Sequence, residues 1–199
     1  MYFSSRTEEA IRLASRLHRH QTRFDNERTP YISHLVSVAM MLSKATEDED
    51  IIIAGLMHDS LEDVPLYTYE KLVEDMGERV ANIVKHVTEP LDANKEKEEQ
   101  IPWLERKDAY LISLREGGKE SAMVSCADKI HNTESFLFDY EKEGETFLLR
   151  FGSSLRNKLW FHEQVLSIVK EKLGEDIPLV KRFVKCNEEF KKLVPVMEK

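Results

Sequence analysis

The segment from Ile51 to Leu61 is apolar on nearly every side of a helix, and it restricts the possible folds of this chain more than any other feature. A helix without a polar face is usually buried at the centre of a protein, so the rest of the chain has to surround it. We predict that this helix begins near Glu49 and that Pro65 ends it, because proline cannot continue an interior turn.

The C-terminal end of this segment carries one imidazole and three carboxylates, on His58, Asp59, Glu62 and Asp63. A helix turns about 100° per residue, so these side chains would fall within an arc of about 140° on one side. Ionised carboxylates are costly to bury unless they are paired or bind a cation. Acids at the C-terminus of a helix also oppose its macrodipole. The cluster therefore predicts a site that binds a metal ion or transfers protons.

Helical periodicity continues through the rest of the chain, and no stretch shows the alternation typical of a strand. The capping-box pattern at 5–8 predicts a first helix that ends near Gln21. A polar loop at 22–30 follows, and further helices are expected at 31–44, 68–76, 80–87, 102–115, 121–138, 154–173 and 178–193. We predict an all-α fold of about eight to ten helices, with the charged stretch 89–101 as a solvated loop or a lid.

The composition is typical of a soluble globular protein, with 199 residues of which 41% are hydrophobic and 33% are charged. This length is most economically one domain, 1–199. The net charge of 29 − 37 = −8 disfavours nucleic acids and anionic membranes as partners.

Cys126 and Cys186 form no CxxC motif, and no apolar stretch approaches the roughly 20 residues that span a bilayer. Without a signal-peptide core we expect a cytoplasmic protein, which is free to form oligomers.

His34 and Asp128 are further candidates for a site with His58 and Asp59. His34 falls early on the second predicted helix, and Asp128 lies inside an apolar run. Two imidazoles and two carboxylates suit a borderline divalent ion such as Mn²⁺, Fe²⁺, Co²⁺ or Zn²⁺. Such an ion acidifies a bound water, and neighbouring carboxylates can position that water and take up its proton.

Each candidate also has a purely structural interpretation. A lone histidine such as His34 is more often a surface or core residue than a ligand. Asp128 would suit the N-cap of a broken helix, and Glu62 and Asp63 would suit a solvated helix end. The presence of all these groups in one chain, in this order, favours the metal site.

The order His34, His58-Asp59, Asp128 resembles that of the HD-domain metal-dependent phosphohydrolases. Three segments look like the hydrolase domain of RelA/SpoT-type proteins and of small alarmone hydrolases, namely 18–34, 54–63 and 127–132. The likeness covers residues 6–140 well and residues 150–199 only in general character. It implies a multi-helix HD-domain bundle on which the C-terminal helices pack.

The resemblance implies one divalent metal ion, Mn²⁺ first, with four ligands, namely His34, His58, Asp59 and Asp128. Glu62 and Asp63 would be the catalytic acids. The implied reaction is hydrolysis of the 3′-diphosphate of guanosine tetra- or pentaphosphate, which gives GDP or GTP and pyrophosphate. Because no synthetase segment follows in the chain, a protein that only hydrolyses this nucleotide is expected.

The resemblance also implies contacts with the substrate. Arg23 would stack on or flank the guanine base, Asn132 would lie near the nucleoside, and Arg106 and Lys107 would meet phosphates. Phe24 stands where many alarmone hydrolases have a lysine, and it removes a charge from the expected pocket. Its ring is able to stack on a base through its π-face instead.

Two other functions are open on the sequence alone. The first is the same metal site acting on a different nucleotide or phosphoester, which Phe24 favours. The second is a non-catalytic nucleotide-binding module, against which the complete set of presumed ligands and acids argues. A binuclear cyclic-dinucleotide phosphodiesterase needs more histidines between Asp59 and Asp128, where only His86 lies.

Overall fold

The computed structural model describes residues 4–90, 102–150 and 154–194. Apart from Glu89 and Pro90, the charged stretch predicted to be a loop or a lid lies outside these residues. Within the described ranges the chain forms eleven helices and no strand, which confirms the all-α prediction. The helices are α1 (Ser5–Leu17), α2 (Ile32–Ala45), α3 (Glu49–Met57), α4 (Ser60–Asp63), α5 (Tyr69–Met76), α6 (Glu78–Lys85), α7 (Trp103–Glu116), α8 (Lys119–Glu143), α9 (Glu145–Leu148), α10 (Ser154–Leu173) and α11 (Pro178–Leu193).

The helix α3 lies at the centre of the fold, as its apolar sequence predicts. Every residue from Ile51 to Met57 is buried, and α3 contacts α1, α2, α6 and α8. The long helix α8 is the second central element and packs against α2, α10 and α11. A smaller apolar cluster, which includes Phe136, Phe147 and Phe190, joins the end of α8 to the C-terminal helices. These helices therefore pack against the helix that carries Asp128.

The prediction of one continuous helix through Leu61 is wrong. The helix α3 ends at Met57, and the short helix α4 begins at Ser60. The Ser60 hydroxyl donates to the Met57 carbonyl at 2.6 Å, and Asp59 has φ −92° and ψ −2°, so the backbone departs from the helical path. His58 and Asp59 therefore lie in a turn, and the polar cluster is divided between this turn and α4.

Other helix boundaries also differ from the prediction. The helix α1 ends at Leu17 rather than near Gln21, with His18 at φ −99° and ψ 15° as its C-cap. The helix α8 runs on to Glu143 and ends at Gly144, whose φ of 66° suits glycine. The four-residue helices α4 and α9 take the number of described helices above the expected range. Among the described residues, no helix combines the length and the apolar character needed to cross a membrane.

Gly55 permits a close approach between α3 and α2. A β-carbon at this position would overlap Leu42 Cδ1 and would lie 3.6 Å from the Ala39 Cα atom. Leu42 is fully buried, and protein interiors are close-packed, so its side chain has little space into which to move. The packing of these two helices therefore depends on the absence of a side chain at Gly55.

We expect Gly55→Val to lower the free energy of unfolding by about 2 kcal/mol or more, because overpacking strains a close-packed core. Urea denaturation followed by circular dichroism measures the change. Met40→Val is the matched control, because Met40 lies on α2 and is 56% exposed, and it should change stability by less than about 0.5 kcal/mol. Equal stability of the two variants would contradict the assigned packing.

Candidate active site

Three elements bring the predicted metal ligands together. His34 comes from the first turn of α2, His58 and Asp59 from the turn after α3, and Asp128 from the middle of α8. The Nε2 atoms of His34 and His58 are 3.2 Å apart. Asp128 Oδ1 lies 3.3 Å from His34 Nε2 and 3.5 Å from His58 Nε2. The structure thus assembles residues that are far apart in the sequence.

Asp59 completes the group. Its Oδ2 atom lies 3.2 Å from His58 Nε2 and 3.6 Å from His34 Nε2, and the ligand atoms of these three residues are all within 4.8 Å of one another. Two atoms bound to one ion at about 2.1 Å each lie about 3 to 4 Å apart. The spacing and the mixed nitrogen and oxygen donors therefore fit a divalent cation.

Hydrogen bonds outside this group orient its members. His58 Nδ1 donates to the Gly55 carbonyl at 2.9 Å, so in the neutral imidazole the unprotonated nitrogen is Nε2, which faces Asp59 and Asp128. The Tyr31 hydroxyl donates to Asp59 Oδ2 at 2.6 Å. His34 Nδ1 is hydrogen-bonded to His131 Nδ1 at 2.8 Å. Tyr31 and His131 were not predicted as parts of the site, and neither is among the four predicted ligands.

The electrostatics of the group favour a positive charge at its centre. Burial opposes a charge on His58, but the carboxylates of Asp59 and Asp128 outweigh it and raise the pKa of His58 to about 9. Burial also opposes ionisation of Asp128, but the Lys129 ammonium and the two imidazoles hold the pKa of that carboxyl well below its usual range. A divalent cation at this position would supply the positive charge that the carboxylates favour, in place of a proton on His58.

Glu62 and Asp63, on α4, have pKa values close to neutrality. Burial and the carboxylates of Asp59 and Asp63 raise the pKa of Glu62 to about 8. Burial and the carboxylate of Asp59 raise the pKa of Asp63 to about 6. Glu62 Oε2 also accepts a hydrogen bond of 3.0 Å from the Glu89 backbone amide. Carboxyl groups in this pKa range are suited to proton transfer near pH 7.

A cavity of about 400 Å³ lies beside the predicted metal ligands. Tyr31 and Asn132, which line it, donate hydrogen bonds to Asp59 and Asp128 respectively. The predicted substrate residues Arg23, Phe24 and Lys107 line it too, together with Trp103, Lys129, Lys158, Phe161 and His162. Its volume and its mixture of aromatic and cationic side chains are typical of a small-molecule site.

Arg23 and Asn132 contact each other in this cavity. Arg23 Nη2 donates to Asn132 Oδ1 at 2.9 Å, and its guanidinium lies 5.6 Å from the centre of the Tyr31 ring. Phe24 is 66% exposed at the cavity lining. The structure therefore brings the three predicted nucleoside contacts, Arg23, Phe24 and Asn132, to one place.

Arg106 and Lys107, the predicted phosphate contacts, both face the buried side chain of Glu89. Lys107 Nζ is hydrogen-bonded to Glu89 Oε1, and Arg106 Nε lies 3.6 Å from Glu89 Oε2. Among the described residues, those lining the cavity include Lys107 but not Arg106. Of this pair, therefore, Lys107 lies at the cavity, and Arg106 is connected to it through Glu89.

Three basic residues of the cavity, Lys129, Lys158 and His162, were not predicted as parts of the site. Lys129 donates to Asp128 Oδ2 at 2.6 Å, and its position directly after a candidate ligand in an apolar run was a usable signal. Lys158 and His162 come from α10, where the sequence carries no recognised motif. The packing of α10 against α7, α8 and α11 brings them to the cavity.

Comparison with known proteins identifies the class to which this arrangement belongs. A family model described as HD domain matches residues 10–145, more than half of the chain, and the protein therefore belongs to the HD domain family. Guanosine-3′,5′-bis(diphosphate) 3′-pyrophosphohydrolase MESH1 of Xenopus tropicalis is 33% identical over 126 residues, which are 62% of this chain and 65% of that protein. The enzyme of the same name from Homo sapiens is also 33% identical over 126 residues, with the same coverage. The match thus spans slightly less than two thirds of these relatives.

Solved structures agree with the fold. The structure titled "A metazoan ortholog of SpoT hydrolyzes ppGpp and plays a role in starvation responses" has a TM-score of 0.74 and 22% identity, and the match covers 95% of this chain and 97% of that one. A crystal structure of lmo0812 from Listeria monocytogenes EGD-e has a TM-score of 0.67 and 25% identity, with 80% and 99% coverage. These similarities extend the common fold beyond the region of the family model.

We expect Mn²⁺ to raise the melting temperature of the protein, because an ion that binds only the folded state stabilises it. At 100 times the dissociation constant the gain is about 2.7 kcal/mol, which corresponds to about 5–10 °C for a chain of this size. Differential scanning fluorimetry with and without a chelator measures the shift. Asp128→Asn should lose most of it, whereas Asp139→Asn, also on α8 and at the cavity, should keep it. A full shift in Asp128→Asn would contradict the assigned ligand set.

Proposed function

We propose that this HD-domain protein is a metal-dependent phosphohydrolase that removes the 3′-diphosphate of guanosine tetra- or pentaphosphate. The observation that carries the proposal is the group of four metal-ligand side chains, next to two acids with raised pKa and a cavity lined by aromatic and cationic residues. The names of the relatives support the choice of substrate, since several are 3′-pyrophosphohydrolases of this nucleotide.

His34, His58, Asp59 and Asp128 would hold one divalent ion, for which we propose Mn²⁺. When bound, such an ion acidifies a water molecule and polarises a phosphoryl oxygen. Glu62 and Asp63 are proposed to orient that water and to transfer its proton, since their pKa values of about 8 and about 6 place one acid form and one carboxylate side by side near pH 7. In the reaction, the oxygen of water bonds to phosphorus, the bond from phosphorus to the ribose 3′ oxygen breaks, and a proton passes to that oxygen.

The cavity is proposed to bind the nucleotide. Lys107, Lys129 and Lys158 line it, and burial together with the neighbouring Lys129 ammonium lowers the pKa of Lys107 to about 8. Crowded ammonium groups of this kind attract phosphates, which relieve their mutual repulsion. Arg23 and Phe24 would contact the base, with Asn132 beside the nucleoside and Arg106 supporting Lys107 through Glu89.

We further propose that the chain acts as one domain, 1–199, in the cytoplasm. The net charge of −8 supports a small nucleotide, rather than a nucleic acid or an anionic membrane, as the partner. The positive charge needed for a phosphorylated ligand is concentrated in the cavity instead.

Glu62→Gln should lower kcat for pyrophosphate release from guanosine tetraphosphate by about 10²- to 10⁴-fold, because the amide can neither donate nor accept the transferred proton. The thermal shift caused by Mn²⁺ should stay close to that of the unsubstituted protein. Glu74→Gln is the matched control, because the Glu74 side chain is 73% exposed, and it should keep full activity. The proposed function is overturned if folded, Mn²⁺-loaded protein releases no pyrophosphate from this nucleotide.

A second candidate function keeps the metal site and changes the substrate to another nucleotide or phosphoester. The exposed ring of Phe24 favours it, because this residue adds stacking surface but no charge to the cavity. A panel of nucleoside mono-, di-, tri- and tetraphosphates, assayed for phosphate and for pyrophosphate separately, distinguishes the two candidates by their products.

Phe24→Ala should raise KM for the preferred nucleotide by about 5- to 100-fold, since stacking of one base on an aromatic ring contributes about 1–3 kcal/mol. Phe24→Tyr should retain the KM of the unsubstituted protein. Phe138→Ala is the control for removal of an exposed aromatic side chain, because Phe138 is 56% exposed and does not line the cavity within the described part of the chain. An unchanged KM in Phe24→Ala would exclude base stacking at this position.

A further inference from the structure

His131 and Asn132 are consecutive residues of α8, and each contacts a different metal-ligand side chain. His131 Nδ1 lies 2.8 Å from His34 Nδ1, and the two ring centroids are 4.7 Å apart. Asn132 Nδ2 donates a hydrogen bond to Asp128 Oδ1. One dipeptide therefore contacts ligands that belong to two different helices, α2 and α8.

The His131 contact determines which nitrogen of His34 is free to bind an ion. His34 Nε2 faces Asp59 and Asp128, at 3.6 and 3.3 Å, so this nitrogen has to offer its lone pair to a cation. The single proton of a neutral imidazole then lies on Nδ1, where His131 Nδ1 is placed to accept it. His34 is completely buried, so a neighbour unable to accept would leave this donor unpaired, which is costly.

The Asn132 contact fixes the orientation of the Asp128 carboxylate. Asp128 Oδ1 is the oxygen near His34 and His58, and it accepts from Asn132, while Oδ2 accepts from Lys129 at 2.6 Å. Hydrogen bonds to both oxygens limit rotation of the carboxylate about its terminal torsion.

We propose that His131 and Asn132 are positioning residues that set the tautomer of His34 and the orientation of Asp128, and thereby the affinity of the site for its divalent ion. The proposal rests on the metal site of the proposed function but not on the identity of the substrate. It also gives Asn132 a role in the absence of nucleotide, beside the nucleoside contact assigned to it above.

The test is a comparison of His131→Phe with His131→Gln, measured as the dissociation constant for Mn²⁺ without nucleotide. Phenylalanine keeps a ring at the position but cannot accept a hydrogen bond, whereas the glutamine side-chain oxygen can accept from His34 Nδ1. Free Mn²⁺ is quantified by electron paramagnetic resonance. Loss of an outer partner of a metal ligand costs about 10- to 100-fold in affinity, and we expect that increase for phenylalanine. Glutamine should restore the dissociation constant to within about three-fold of the unsubstituted value.

His86→Phe is the matched control for this substitution. His86 Nδ1 is hydrogen-bonded to the Ser113 carbonyl at 3.0 Å, and His86 belongs to no contact described for the site. Its Mn²⁺ affinity should equal that of the unsubstituted protein. Circular dichroism and the melting temperature of each metal-free variant identify any loss of folding, in which case His131→Leu replaces His131→Phe.

Asn132→Leu tests the second contact, because leucine is similar in size and has no donor. Its dissociation constant for Mn²⁺ should rise at least about 10-fold, and the absorption spectrum of bound Co²⁺ should change as the Asp128 carboxylate reorients.

Unchanged Mn²⁺ affinity in folded His131→Phe and Asn132→Leu would overturn the proposal and leave the proposed function intact. Weak binding by His131→Gln as well as by His131→Phe would overturn the hydrogen-bond explanation. A loss confined to phenylalanine and leucine supports the proposal even if guanosine tetraphosphate is not hydrolysed, so the two proposals fail on different measurements.

Discussion

The attraction between buried carboxylates and a positive charge is the interaction on which the site depends. Asp59 and Asp128 lie beside the most apolar helix of the chain, where an uncompensated negative charge would be costly. These carboxylates favour positive charge beside them, and they raise the pKa of the His58 imidazole to about 9 although burial opposes its charged form. Burial raises the pKa of Glu62, and the carboxylates of Asp59 and Asp63 raise it further, so the negative charge that favours a cation also helps a nearby carboxyl to exchange protons.

Much of the fold and of the ligand group was predictable, because it depends on local patterns. Periodicity identified the long helices, and the order of His34, His58 and Asp128 along the chain predicted that these residues lie together in one site. The break after α3 was not predictable, since it depends on a hydrogen bond from the Ser60 hydroxyl to a backbone carbonyl. Lys158 likewise reaches the cavity only through the packing of α10, about which a one-dimensional pattern contains no information.

The break between α3 and α4 places the predicted metal ligands and the predicted catalytic acids on different elements. The helix α3, buried from Ile51 to Met57, leads directly into the predicted ligands His58 and Asp59, while the predicted acids lie on a helix of only four residues. Gln21 Nε2 holds this short helix by donating to the Asp63 carbonyl at 2.7 Å. The acids are thus anchored to the segment that also supplies Arg23, rather than to the core helix alone.

The hydrogen bonds from Arg23 to Asn132 and from Asn132 to Asp128 have a thermodynamic consequence. A nucleotide that moves Arg23 changes the second partner of Asn132, and an ion that pulls on Asp128 changes the first. Two ligands that share such a connection cannot bind independently, and the coupling between them has to be reciprocal. For the proposed ion and nucleotide, the factor by which the ion changes nucleotide affinity has to equal the factor by which the nucleotide changes ion affinity. Retention of the proposed ion would then vary with the supply of nucleotide.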